Sequence, residues 1–125
     1  RLRHYFIAFP KKRKEFNGNI YVLTNGKSFS MSGVAATYLK YKAKATIIGE
    51  ETGANIAGSN AVISGKIVLP NSRIQVHIPM YHIYHDVDVK NTGKGLMPDY
   101  PTHYSKEDIL NGVDIDIIKV LELVK

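Results

Sequence analysis

Cysteine is missing from the sequence altogether. Thiolate catalysis and disulfide staples are thereby excluded, while the redox compartment stays open. Long apolar runs are missing as well. No stretch approaches the about 18 residues that a membrane-crossing helix needs, so no membrane span is expected. Acidic residues are scarce in the first 50 positions, which carry ten basic side chains and two acidic ones, against seven and nine in the remainder. Much of that excess is the run Lys11, Lys12, Arg13 and Lys14. It has no interleaved aromatic residues and no second basic stripe, so it reads as a solvated turn and no nucleic-acid partner is expected. Residues 53–58 (GANIAG) are glycine-rich but lack the G-K-[ST] ending of a phosphate loop. They also follow Glu50 and Glu51, which would repel a phosphate. They read as a structural turn, and no cofactor is called for.

What is present is a chain of 125 residues, 44% of them hydrophobic, enough for one domain with one modest core. It opens at Arg1 with neither an initiator methionine nor a signal-peptide pattern, as expected of a piece of a longer polypeptide. Residues 4–9 (HYFIAF) read as a short aromatic strand ended by Pro10. Residues 20–24 (IYVLT) read as a buried strand and residues 31–43 as a helix with Val34, Tyr38 and Tyr41 on one face, Ala35 and Leu39 beside them. Residues 45–48 (ATII) read as a second buried strand. Strand, helix and strand within about thirty residues form a βαβ unit with parallel strands. Residues 61–69 and 73–78 read as a hairpin, with Ile74, Val76 and Ile78 on one face. Residues 80–88 continue extended, 90–103 are turn-rich, and Ser105 and Asp114 cap helices over 105–111 and 115–124.

The joint between the first strand and the helix carries three serines, Ser28, Ser30 and Ser32. A serine at a strand-to-helix junction stands at the open end of a sheet, where helix-terminal amides can stabilise an oxyanion. That is the logic of a nucleophile elbow. The usual G-x-S-x-G pattern is absent around Ser30, which lies in S-F-S-M-S. From the residues alone both readings stand: a nucleophile, or a helix cap (Ser30 or Ser32) with a turn residue (Ser28). A third constellation is His77, His82, His85 and His103 with Asp86, Asp88 and Asp99. On a strand, His82 and His85 fall on opposite faces. They read as surface or groove histidines, with a role in substrate contact as the alternative, and no metal site is expected.

Four pieces in order, residues 20–39, 47–53 (IIGEETG), 69–72 (LPNS) and 95–99 (GLMPD), resemble the tail-specific, C-terminal processing protease family of S41 serine peptidases, which also includes the tricorn core proteases. The resemblance runs from about residue 17 to 122 and leaves residues 1–16 poorly matched. It implies that residues 1–125 are the C-terminal portion of one peptidase catalytic domain. The implied fold is α/β, part of a ClpP/crotonase-like fold, with a mixed sheet, a βαβ unit and C-terminal helices. It further implies a polypeptide substrate, no metal or cofactor, and a periplasmic or extracytoplasmic setting. The family's nucleophile falls at Ser30 and one oxyanion donor at the Met31 N–H, with Thr52, Gly53 and Asn55 bordering the active site.

The sequence departs from the lysine-dependent branch at one position. The lysine that activates the serine in that branch is replaced here by Asn55, the twenty-fifth residue after Ser30. An amide accepts no proton, so the tricorn-like branch, with an upstream histidine base, is the better match. His4 is the sole histidine before Ser30 and sits in no family motif. The general base is therefore expected from sequence upstream of this chain, as is the second oxyanion donor. Asp86 or Asp88, or Glu51, is expected to orient that histidine. Two further expectations follow. Strand 4–9, left with an unpaired apolar edge, is expected to support a homo-oligomer. The rival to a peptidase is a non-catalytic peptide-binding or scaffold module of the same fold.

Overall fold

A computed structural model describes residues 16–60, 63–90 and 92–124. The expected strand 4–9 and the basic run 11–14 lie outside the described residues. The expected βαβ unit is present. Strand β1 (Tyr21–Thr24) leads into helix α1 (Met31–Ala43) and then strand β2 (Thr46–Gly49). The two strands pair in parallel, Tyr21 opposite Thr46 through Thr24 opposite Gly49. A two-residue strand β7 (Tyr100–Pro101) adds to the far side of β2, also parallel, making the order β1-β2-β7. Parallel and antiparallel pairings are both present but in separate sheets. Strands β3 (Gly58–Ser59) and β6 (Ile83–Tyr84) form one antiparallel ribbon, and β4 (Ser64–Val68) with β5 (Gln75–Pro79) form another.

Strand β2 is the centre of the core. Successive strand residues face opposite sides, and both Ile47 and Ile48 are fully buried. Removing each from water contributes about 1.5–3 kcal/mol. Ile47 packs with Ala36, Ala45 and Leu96, flanked by Ile20, Val22, Leu39 and Ile56. Ile48 is left for the other face, where helix α3 (Ile115–Leu123) meets β2 and the Tyr21 hydroxyl donates to the Leu123 carbonyl at 3.5 Å.

The buried side of α1 is not the one its larger apolar residues suggest. Gly33, Ala36 and Thr37 are buried, whereas Val34, Tyr38 and Leu39 are half-buried, Ala35 is exposed and Tyr41 is 43% exposed. Small side chains let the helix lie close, and Thr37 satisfies its hydroxyl on the Gly33 carbonyl at 2.9 Å. The 80–88 segment also differs from a continuous extension. It breaks after Pro79 and re-forms as β6, which pairs with β3 rather than prolonging the hairpin. The hairpin itself is as expected, with Ile78 opposite Gly65 and Val76 opposite Ile67 on its apolar face.

The capping expectations hold for the two C-terminal helices. Ser105 and Asp108 form a reciprocal capping box on helix α2 (Lys106–Leu110), and Asp114 accepts the Ile117 amide at the start of α3. Ile117, Ile118, Leu121 and Val124 nevertheless remain exposed.

Asp99 joins β2, α1 and the approach to β7. Its Oδ2 accepts the Ile47 amide at 2.9 Å and its Oδ1 accepts Lys40 Nζ at 2.6 Å. Its own amide donates to the Ile47 carbonyl at 2.8 Å. Burial pushes the Asp99 carboxyl up, but the Ile47 amide, the Lys40 hydrogen bond and the Lys40 charge outweigh it and hold it below 3.8. Asp99→Ala leaves the buried Ile47 amide without its acceptor and is expected to cost about 1–3 kcal/mol. A carboxylate with a lowered folded-state pKa stabilises above its ordinary value and loses that contribution as pH falls through the lowered one. The melting-temperature gap between wild type and variant should therefore be constant near neutrality and shrink below 3.8.

Candidate active site

The carboxyl ends of the parallel strands β1 and β2 lie side by side, and the loops that leave them form one wall of a cavity. This is the edge of a parallel sheet where ligands bind. Thr24 closes β1 against the start of the second loop. Its Oγ1 donates to the Glu50 carbonyl, and the Glu50 amide returns a bond to the Thr24 carbonyl, both at 2.8 Å. Residues 25–28 then make a turn. The Ser28 amide donates to the Asn25 carbonyl at 2.8 Å, and Ser28 Oγ accepts the Asn25 amide at 3.1 Å. Ser28 is thus the turn residue expected.

Ser30 is held differently. Its φ of 54° and ψ of −125° place it in a region favoured by glycine. The Ser32 amide donates to the Phe29 carbonyl at 3.3 Å, closing a turn over Phe29, Ser30, Met31 and Ser32. Those angles at the second position are those of a type II′ turn. A non-glycine residue there costs about 1–3 kcal/mol. The strain coincides with a serine whose side chain does not cap the helix, although Ser30 occupies the N-cap position. Ser32 does not cap it either. Its hydroxyl donates backwards to the Phe29 carbonyl at 2.8 Å. The capping expectation for both serines is therefore corrected: neither hydroxyl bonds a helix-terminal amide. Met31 opens α1, so its N–H has no intrahelical partner. No acidic side chain occupies the first turn to oppose an anion there.

The second loop is bolted in place. Thr52 is buried and makes three bonds: its amide to the Leu96 carbonyl (3.1 Å), its Oγ1 to the Ala54 carbonyl (3.1 Å), and its Oγ1 accepting the Leu96 amide (2.8 Å). Gly95 packs so closely on Thr52 that a Cβ would collide with the Thr52 carbonyl. Asn55 bridges to Gly95 and its Oδ1 accepts the Ala57 amide at 2.8 Å. The loop meets α1 at Gly33, where a Cβ would collide with the Ala54 methyl. That contact fixes the second loop relative to the turn that holds Ser30.

Between these walls lies a cavity of about 430 Å³. Ser30, Phe29 and Val34 border it from the first loop and α1, and Gly53, Ala54 and Asn55 from the second loop. Ser59 and Asn60 with His82 and His85 also line it, brought there by the β3–β6 pairing and the His85 amide bond to the Ala57 carbonyl at 3.0 Å. His82 and His85 therefore border one cavity, with the two-residue strand β6 between them. His82 Nδ1 bonds Asn60 Oδ1, and His85 Nδ1 bonds the Ile56 carbonyl at 2.9 Å. Neither histidine was singled out for the site from the sequence, and the two-residue strand that delivers them leaves no periodic signal.

The structure brings Ser30, Gly53 and Asn55 to the cavity, with Thr52 buried behind it and Met31 at the helix start. Asp86 lies elsewhere, 3.3 Å from Lys42 Nζ on the surface, and Asp88 borders a separate groove beside Lys40 and Lys90. Glu51 Oε1 accepts the Gly95 amide at 2.7 Å. No group of three or more potential metal ligands occurs among the described residues.

Residues 3–102 match the family model of peptidase family S41. The chain belongs to that family. The match starts ahead of the motif-based resemblance, which began at residue 17, and stops before α2 and α3. No curated protein matches the chain. The βαβ unit and the two loops just described lie within the matched residues of this S41 serine peptidase domain.

Proposed function

We propose that this S41 domain cleaves polypeptides with Ser30 as nucleophile. The observation that carries the reading is the Ser30 turn: a strained, positive-φ serine between strand and helix, at the edge of a cavity, with no cap bond on its hydroxyl. Strain of this kind persists where surrounding structure imposes it, and it concentrates at reactive sites. In the reaction the Oγ attacks the scissile carbonyl carbon while its proton leaves to a base. The carbonyl oxygen, now an anion, takes the Met31 N–H at the helix start. Thr52, Gly53 and Asn55 hold the border of the site.

Asn55 stands at the cavity and accepts no proton; the resemblance to the tricorn-like branch points to a histidine supplied by upstream sequence of the complete polypeptide as the base, with Asp86 or Asp88 as the acid that orients it. Without a base a serine hydroxyl is a weak nucleophile, and the missing term is worth roughly 100- to 10,000-fold. The same reading takes the α/β elements as part of a ClpP/crotonase-like fold working outside the cytoplasm, with self-association through residues 4–9. Asn55 also favours a second reading, a peptide-binding module that has lost catalysis.

A fluorophosphonate labelling experiment separates these. The complete polypeptide is expected to label at Ser30, the Ser30→Ala variant not at all, and the 125-residue chain at least about 100-fold more slowly. Equal labelling of wild type and Ser30→Ala, or none in either, sinks the peptidase reading and leaves the binding module.

A further inference from the structure

His85 Nε2 is a buried side-chain nitrogen with no hydrogen-bond partner among the described residues. The ring is only 8% exposed and is held on several sides. Its Nδ1 lies 2.9 Å from the Ile56 carbonyl, its backbone amide is bonded to Ala57, and the Tyr38 ring lies 6.1 Å away at a tilt. A carbonyl only accepts, so Nδ1 carries the proton and Nε2 of the neutral ring holds a lone pair. An acceptor buried without a donor costs about 1–3 kcal/mol. His85 borders the Ser30 cavity, so a group entering that cavity can supply the missing donor.

The rest of the cavity says what kind of group that is. Phe29, Val34 and Ala54 make an apolar wall, and among the described residues no Asp, Glu, Lys or Arg lines it. A cationic tip would find no carboxylate, and a purely aliphatic side chain would leave Nε2 unpaired. The occupant has an apolar body and a neutral donor at its end, and about 430 Å³ is roomy enough for an aromatic ring. Resting on the peptidase reading above, we infer that the cavity selects a tyrosine side chain of the polypeptide substrate, its phenol hydroxyl donating to His85 Nε2. In the unliganded chain Nε2 exposes less than 1 Å². The arriving hydroxyl therefore parts the side chains beside it, a rotamer adjustment common on binding. A site built around such a bond rejects the analogue that lacks it, because the site's own polar group is left unpaired.

The test measures binding, so it needs no turnover. The complete polypeptide carrying Ser30→Ala is titrated with labelled peptides that differ only by Tyr or Phe, the pair being moved through each position in turn. At one position the Tyr peptide is expected to bind about 10- to 100-fold tighter. His85→Phe should bring that ratio to about one, and His85→Gln, which keeps an acceptor, should restore part of it. Equal binding of Tyr and Phe peptides at every position in the otherwise unaltered site overturns the inference. So does a Tyr preference that survives His85→Phe. Labelling of Ser30 in the wild type is scored separately, so a failed peptidase reading and a failed selectivity are told apart.

Discussion

Replacing Ser30 by glycine is expected to give a protein that melts about 3–5 °C higher and no longer reacts with a fluorophosphonate. Glycine adopts the φ of 54° without a Cβ penalty, so a strain of about 1–3 kcal/mol is relieved. Part of that gain is offset, since glycine makes the unfolded chain more flexible by about 0.5–1 kcal/mol. A net gain of about 1 kcal/mol corresponds to the stated shift for a chain of this length. Nothing is lost in the other direction, because the Ser30 side chain makes no cap bond. Alanine is the informative control. It removes the hydroxyl but keeps the Cβ, so Ser30→Ala should abolish labelling without raising the melting temperature. If the glycine variant melts no higher than the alanine one, the turn is not strained and the argument from strain to nucleophile falls.

The elements that could be read from sequence are those in which a run of residues carries one repeated property. β1 and β2 are short uncharged segments with apolar centres (YVLT and TIIG), α1 is a 13-residue segment between strands, and α2 and α3 begin at Ser105 and Asp114 with side-chain caps. The hairpin is legible because Ile74, Val76 and Ile78 alternate with Arg73, Gln75 and His77. Strands β3, β6 and β7 have two residues each and so no period at all. They exist because a partner elsewhere in the chain accepts and donates their bonds. That is why His82 and His85 were placed on opposite faces, and why their shared cavity came only with the structure. The buried side of α1 was misread for a related reason. Size usually marks the core, but here Gly33 and Ala36 are buried because close approach to the second loop and to β2 leaves no room for larger groups. Ser30 was legible as a position but not as a conformation, since no residue pattern specifies a positive φ at a serine.

Asn55 marks where the largest gain of function is expected. Its side chain borders the same cavity as Ser30, at the position where the lysine-dependent branch of the resembled family has its base. Asn55→Lys should speed fluorophosphonate labelling of Ser30 in the 125-residue chain by about 100-fold, the lower end of what a general base contributes. Several features of the site favour the exchange. Backbone pairing with Gly95 holds position 55 whatever its side chain, and among the described residues no carboxylate lines the cavity to hold the new ammonium charged. The wall of Phe29, Val34 and Ala54 disfavours the charged form as well, so the amine titrates below its usual range and becomes available as a proton acceptor. The exchange does cost the bond from the Ala57 amide to Asn55 Oδ1, about 1 kcal/mol of stability, so the variant should melt slightly lower while reacting faster. Its labelling rate should also rise with pH as the lysine loses its proton, a dependence the wild-type chain lacks if its base lies outside these residues. Asn55→Met, of similar length but with no amine, should lose the same stability and gain no reactivity. If the lysine variant labels no faster than the methionine one, position 55 does not face the Ser30 hydroxyl, and Asn55 no longer argues against the lysine-dependent branch.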